Sequence, residues 1–158
     1  MGAKIKGAGS SQIEIEGVKQ LKDVSYNIMS DRIEAGTFLC IAAMNHSNII
    51  VKNIDEDHII PIIDKLEEAG CELQIEDRQI QIKAPKKLKS VNIKTMPYPG
   101  FPTDMQSIFA TLLTTAKGSS IIVENIFENR YKYTQELIRM GAKISVEGKT
   151  AIIKGVKK

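Results

Sequence analysis

The sequence predicts an α/β fold made from a repeated βαβαββ unit. Short runs alternate between apolar and polar residues, as strands half-buried in a sheet do. Between them lie longer apolar-periodic stretches with helix start and stop signals. Both kinds of segment recur at a spacing of about 70 residues, too long for common solenoids and suited to a small α/β module.

The repeat is visible in the residues themselves. Met1-Gly2-Ala3-Lys4-Ile5 returns as Met140-Gly141-Ala142-Lys143-Ile144, with Ala69-Gly70-Cys71-Glu72-Leu73 between them. Ile49-Ile50-Val51-Lys52-Asn53-Ile54 matches Ile121-Ile122-Val123-Glu124-Asn125-Ile126 at an offset of 72.

Taken in order, Gln12-Ile13-Glu14-Ile15-Glu16 alternates as a strand. Asp31 and Glu34 have capping-box spacing ahead of a helix through about Met44. A strand over 49–54 and a helix near 57–69 follow, with Pro61 near its first turn and Gly70 at its C-terminal stop. Gln79-Ile80-Gln81-Ile82-Lys83 alternates again. The order then repeats: strand 91–94, helix 104–116, Gly118, strand 120–125, helix 131–140, Gly141, and strands 142–147 and 150–154. The expected division is one partial domain over 1–158, with modules of approximately 1–70 and 71–158.

With 158 residues and 42% hydrophobic content, the chain can bury a real core. Its formal charge of +3 comes from 22 basic and 19 acidic residues interspersed with one another, so charge alone does not indicate a nucleic-acid partner. Cys40 and Cys71 form no CxxC pair and read as reduced core residues. No apolar run approaches the roughly 18 residues that span a bilayer, and the start lacks the apolar centre of a secretory signal, so no membrane partner and a cytoplasmic location are expected. His46 and His58 have no ligand-like spacing to other residues, and no metal is expected. Gly148-Lys149-Thr150 lacks the earlier glycine of a phosphate loop, and Gly7-Ala8-Gly9 lacks the helix of a dinucleotide fingerprint; both read as strand turns.

The most informative stretch runs from Met96 to Gln106. Pro97, Pro99, Gly100 and Pro102 make a stiff approach to a helix start, where Thr103 and Gln106 have capping-box spacing and Asp104 falls in the first turn. On residue type alone, Asp104 complements the positive helix end. Likewise Arg130, in Phe127-Glu128-Asn129-Arg130, would form a surface ion pair with Glu128 or Glu136. Ile126 would be an ordinary apolar residue at a strand end.

The segments Phe101-Pro102-Thr103-Asp104-Met105-Gln106 and Phe127-Glu128-Asn129-Arg130 resemble the enolpyruvyl transferases. Within that family they fit the branch acting on UDP-N-acetylglucosamine in peptidoglycan precursor synthesis. The resemblance implies an inside-out α/β barrel of six modules, three per domain, with helices inside and sheets outside. About two of the six would be present. It implies phosphoenolpyruvate and UDP-N-acetylglucosamine as substrates, no cofactor, and a further domain of the same polypeptide as the missing partner. Asp104 matches the residue that contacts the sugar nucleotide and serves as the proposed base for its 3-hydroxyl; Ile126 and Arg130 match residues that bind the substrate. Asp31-Arg32-Ile33-Glu34-Ala35-Gly36-Thr37 also matches, with structural roles expected for Asp31 and Arg32. The family's reactive cysteine lies in the other domain, so neither Cys40 nor Cys71 corresponds to it. An isolated chain is therefore expected to be inactive, lacking the phosphate clamps and a closed cleft.

Two alternatives remain at this stage. The sister shikimate-pathway enolpyruvyl transferases share the modules, although the quoted segments fit the UDP-sugar branch better. An RNA-binding α/β module needs a basic face with stacking aromatics, and aromatics are only 5% of this chain.

Overall fold

The computed structural model describes residues 1–8 and 10–156, and its strands form three separate sheets. The first is a hairpin of β1 (Lys4–Lys6) and β2 (Glu14–Glu16), antiparallel and solvent-facing on both sides. The Gly7 carbonyl accepts from the Ser10 amide at 3.0 Å in the connecting turn. Gly9, the last glycine of the predicted Gly7-Ala8-Gly9 turn, lies outside the described residues.

The second sheet begins beyond α1 (Arg32–Met44), whose start is fixed by Asp31: its carboxylate accepts from the Ile33 and Glu34 amides at 2.7 and 3.2 Å. Then come β3 (Asn48–Lys52), a 3-10 turn at Glu56–His58, α2 (Ile60–Glu68) with Pro61 in its first turn, β4 (Glu72–Glu76) and β5 (Gln79–Lys83). Gly70 closes α2 with a φ of 100°, a conformation costly for any side chain. The three strands are antiparallel in the order β3-β5-β4.

The third sheet belongs to a complete βαβαββ unit. It comprises β6 (Ile93–Lys94), a 3-10 turn at Thr103–Met105, α3 (Gln106–Leu113), β7 (Ser119–Val123), α4 (Thr134–Arg139), β8 (Lys143–Glu147) and β9 (Thr150–Lys154). The order is β6-β7-β9-β8, with β6 and β7 parallel and the other pairs antiparallel.

Pairing register corrects the repeat offset. Asn48 pairs with Lys83 and Ser119 with Lys154, so corresponding strand positions are 71 apart rather than the 72 of the letter match. A one-residue slip would turn every side chain to the opposite face of the sheet. The letters mislead because the first unit holds one extra residue after β3, Asn53, in the left-handed conformation at φ 59°. Beyond it Ile54 corresponds to Glu124, 70 positions on: the Ile54 amide donates to the Arg78 carbonyl at 3.0 Å, as the Glu124 amide does at 2.8 Å to that of Lys149, where the offset is 71 again.

α1, α2 and α3 lie inside and the sheets outside, while α4 buries only Thr134. α1 packs on α3, and Leu39, Ile62, Leu66, Phe109 and Leu112 form one core with Ile80, Ile82, Ile122 and Ile153 from the inner sheet faces. Each such side chain stabilises by about 1.5–3 kcal/mol. The helices meet closely at Gly36, where an added Cβ would lie 2.9 Å from Met105 Cε. Since Gly36 is one turn into α1 and Met105 immediately precedes α3, both helix starts are at the same end of the molecule.

Candidate active site

That end carries the proline-stiffened loop. Its base is closed by the Met96 amide donating to the Phe101 carbonyl at 3.0 Å, and its tip by Gly100 donating to Pro97 at 2.8 Å. A Cβ on Gly100 would sit 2.5 Å from that of Met96, so the tip requires glycine. Phe101 is buried edge-on against Phe109, with ring centroids 5.1 Å apart, and this fastens the loop to α3.

The repeat shows the loop to be an addition. In the first unit the Ser30 hydroxyl accepts from the Asp55 amide at 2.9 Å; in the second, Thr95 accepts from Asn125 at 2.8 Å. Ser30 leads straight into Asp31 and α1, whereas eight residues, Met96 to Thr103, separate Thr95 from Asp104.

The two carboxylates at these helix starts behave differently. Asp31 caps its helix. Asp104 caps nothing: it lies in the 3-10 turn and its carboxylate instead accepts from Arg130 Nη2 at 2.5 Å. The Arg130 guanidinium also lies 5.2 Å from the centre of the Phe127 ring. Ion pairs with Glu128 or Glu136 do not form; Glu136 pairs with Arg139 at 3.0 Å. Asp104 remains 60% exposed and Arg130 33%, so the pair is open to a ligand from this end. Ile126, half-buried, stands in the same loop as Arg130, between β7 and α4.

The Thr103–Gln106 capping box is not present. The Thr103 hydroxyl donates to Glu124 at 2.9 Å, and Gln106 is fully buried inside the first turn of α3. Its amide lies near the Tyr131 hydroxyl and opposes the upward push that burial gives that group, yet reaches no partner at hydrogen-bonding geometry. Tyr131 is held between the Ile122 and Lys149 carbonyls, at 2.8 and 3.1 Å. Burial also raises Tyr133.

Arg32 lies with its guanidinium 5.0 Å from the Tyr98 ring centre, and the His58 ring meets Tyr98 edge-on at 6.3 Å. These contacts tie the loop to the start of α1 and border a hollow of about 410 Å³. Cys40 and Cys71 are buried, and desolvation pushes both thiols up, Cys71 to about 11. Neither is available as a nucleophile at neutral pH.

Residues 1–158 match the family model described as EPSP synthase (3-phosphoshikimate 1-carboxyvinyltransferase). The chain belongs to this family of enolpyruvyl transferases. A UDP-N-acetylglucosamine 1-carboxyvinyltransferase from Geotalea uraniireducens is 52% identical over 158 residues, covering 100% of this chain and 38% of that protein. One from Desulfofundulus thermocisternus is 49% identical over 159 residues and is covered over 65% of its length. The chain is thus a partial one, spanning about 38% of the length of most of these relatives. Among solved structures, the enolpyruvyl transferase NikO from Streptomyces tendae superimposes with a TM-score of 0.82 at 23% identity, over 98% of this chain and 37% of that one. EPSP synthase from Acinetobacter baumannii gives 0.72 at 20% identity, over 99% and 38%. Both likenesses concern the fold.

Against this enolpyruvyl transferase fold, sequence reasoning missed Glu124. It lies at the end of β7 with 1% exposure and receives four hydrogen bonds. The sequence carried little signal for it: the letter match sets Glu124 against Lys52, and only the hydrogen-bonded register sets it against the apolar Ile54.

Proposed function

We propose that this chain is part of an enzyme that transfers the enolpyruvyl group of phosphoenolpyruvate to the 3-hydroxyl of UDP-N-acetylglucosamine, in peptidoglycan precursor synthesis in the cytoplasm. The observation that carries the reading is the Asp104–Arg130 pair, exposed on an added loop and left out of helix capping. The identity of about half to transferases named for that sugar nucleotide supports it. In this reading Asp104 takes the proton from the 3-hydroxyl as its oxygen adds to C2 of phosphoenolpyruvate, and C3 takes a proton from an acid on the rest of the polypeptide. Loss of inorganic phosphate from C2 with a proton from C3 then restores the double bond. Arg130, whose planar fork suits oxyanions, orients the carboxylate and the anionic groups of the substrates, and Ile126 packs against the nucleotide. The rest of the polypeptide supplies the reactive cysteine and the phosphate clamps.

Steady-state kinetics and thermal melting of Asp104→Asn in the complete enzyme test this. Turnover is expected to fall on the order of a hundredfold or more. Stability should change by less than about 1 kcal/mol, since the pair is solvent-exposed. Near-normal turnover would sink the assignment. Activity with shikimate 3-phosphate in place of the UDP-sugar would move the chain to the sister branch.

A further inference from the structure

We propose that Glu124 is the positioning residue of this site, holding the loop that bears Asp104 and the loop that bears Arg130 in one geometry. The proposal rests on the reading of Asp104 as the base. Glu124 Oε1 accepts from the Thr95 hydroxyl at 2.8 Å, the Ile126 amide at 2.9 Å and the Phe127 amide at 3.2 Å. Its Oε2 accepts from the Thr103 hydroxyl at 2.9 Å. One carboxylate therefore joins the end of β6, the residue before Asp104, and the start of the loop that leads to Arg130.

The repeat supplies an internal control. Ile54 and Glu124 occupy the same place: each amide donates to the matching carbonyl, Arg78 or Lys149, and each is followed by a residue whose amide is held by the hydroxyl of Ser30 or Thr95. Ile54 is 2% exposed and Glu124 1%. The fold accepts a plain apolar side chain there. A buried carboxylate is costly unless fully hydrogen-bonded, and it occurs in the unit that carries the added loop and a helix-start aspartate that caps nothing and pairs with Arg130 instead. Two of its four donors, Thr95 and Thr103, bracket that loop. A fixed distance between Asp104 and Arg130 is what a base held by a guanidinium needs.

The test uses the complete enzyme with Thr103→Val, Thr103→Ser, Glu124→Gln and the Thr103→Val/Glu124→Gln double variant, beside Asp104→Asn. Thr103→Val and Glu124→Gln are each expected to lower kcat on the order of tenfold to a hundredfold, the scale of a small misplacement of reacting groups. KM for phosphoenolpyruvate should hold, and Thr103→Ser, which returns the hydroxyl, should recover most of the loss. The double variant should lose no more than the worse single one, because both act through one contact. Full kcat in Thr103→Val, losses that multiply in the double variant, or a Thr103→Ser as impaired as Thr103→Val would each overturn the proposal. Should Glu124→Gln fail to fold, Thr103→Val still decides, since it removes only a hydroxyl. Normal turnover of Asp104→Asn refutes the base assignment, and the positioning role with it. An inactive Asp104→Asn beside normal Thr103→Val and Glu124→Gln refutes the positioning role alone.

Discussion

Cys40 and Cys71 give the protein a pH response that needs no active site. Their ordinary value is 9.0, and burial raises both, with the neighbouring Cys71 adding to the effect on Cys40. Below pH 9 the thiols are protonated in folded and unfolded chains alike. Above it the unfolded thiols lose protons while folded Cys71 keeps its own until about pH 11. The folded state then binds more protons, so stability falls as pH rises, by up to about 1.4 kcal/mol per unit for each such group. Tyr131 and Tyr133, also raised by burial, extend the loss further up the scale. Melting temperature measured from pH 7 to 11 should be level to about pH 8.5 and then decline, with a gentler decline in Cys71→Ala; a curve level to pH 10.5 would contradict this. Residue roles were unevenly legible. The local motifs drew attention to Asp104 and Arg130, which the structure brings into contact. Thr103 was misread because its spacing to Gln106 suggests a cap, while the acceptor that takes its hydroxyl, Glu124, lies 21 positions away. Local spacing does not register such competition.

Elements were readable to within a few residues, and their ends were lost to side chains. β9 runs over 150–154 as the repeated order of elements predicts. α3 is shorter than the 104–116 expected. Its first turn tightens to a 3-10 turn, and the hydroxyls of Thr114 and Thr115 bond back to the carbonyls of Thr111 and Leu112. α4 starts at Thr134 rather than 131, because Tyr131 is drawn beneath β7 and Thr134 bonds back to its carbonyl at 2.7 Å. Where β9 ends, Gly155 donates to the Gly118 carbonyl at 3.0 Å. A Cβ there would stand 1.6 Å from the Ala116 carbonyl oxygen, which is backbone and has no rotamer to yield. Gly155→Ala should therefore separate β9 from the chain after α3 and cost at least about 1–3 kcal/mol, read as a lowered denaturation midpoint. An unchanged midpoint would show that this junction gives way easily.

Across the whole molecule, the inward helices still leave large apolar side chains in solvent. Phe38 and Ile41 of α1 are 49% and 48% exposed, on a helix whose opposite side buries Ala35, Leu39, Ala42 and Ala43 in the core. Asp104 and Arg130 stand at one open end, 60% and 33% exposed, with no opposing wall among the described residues. The 158-residue chain alone should release no phosphate from phosphoenolpyruvate with UDP-N-acetylglucosamine above a no-enzyme control, because a transition state is stabilised by donors fixed on every side of it. Release above that control would show that this portion is a sufficient catalyst. The repeat was legible as a pattern of letters; its true offset required the hydrogen-bonded register, because the extra Asn53 is hidden among similar apolar residues.

The solvent-facing hairpin has a mechanical consequence. Core residues of the described chain begin at Ala35, and ahead of them stand a ladder of three residue pairs between β1 and β2 and the Met1–Lys22 hydrogen bond. Tension applied at the first residue would unzip that ladder one pair at a time, at low force. It would meet real resistance at the Asp31 cap, where the chain enters α1 and the load passes to packed side chains. Pulled in this way, the 158-residue chain is a stiff body drawn by a compliant lead.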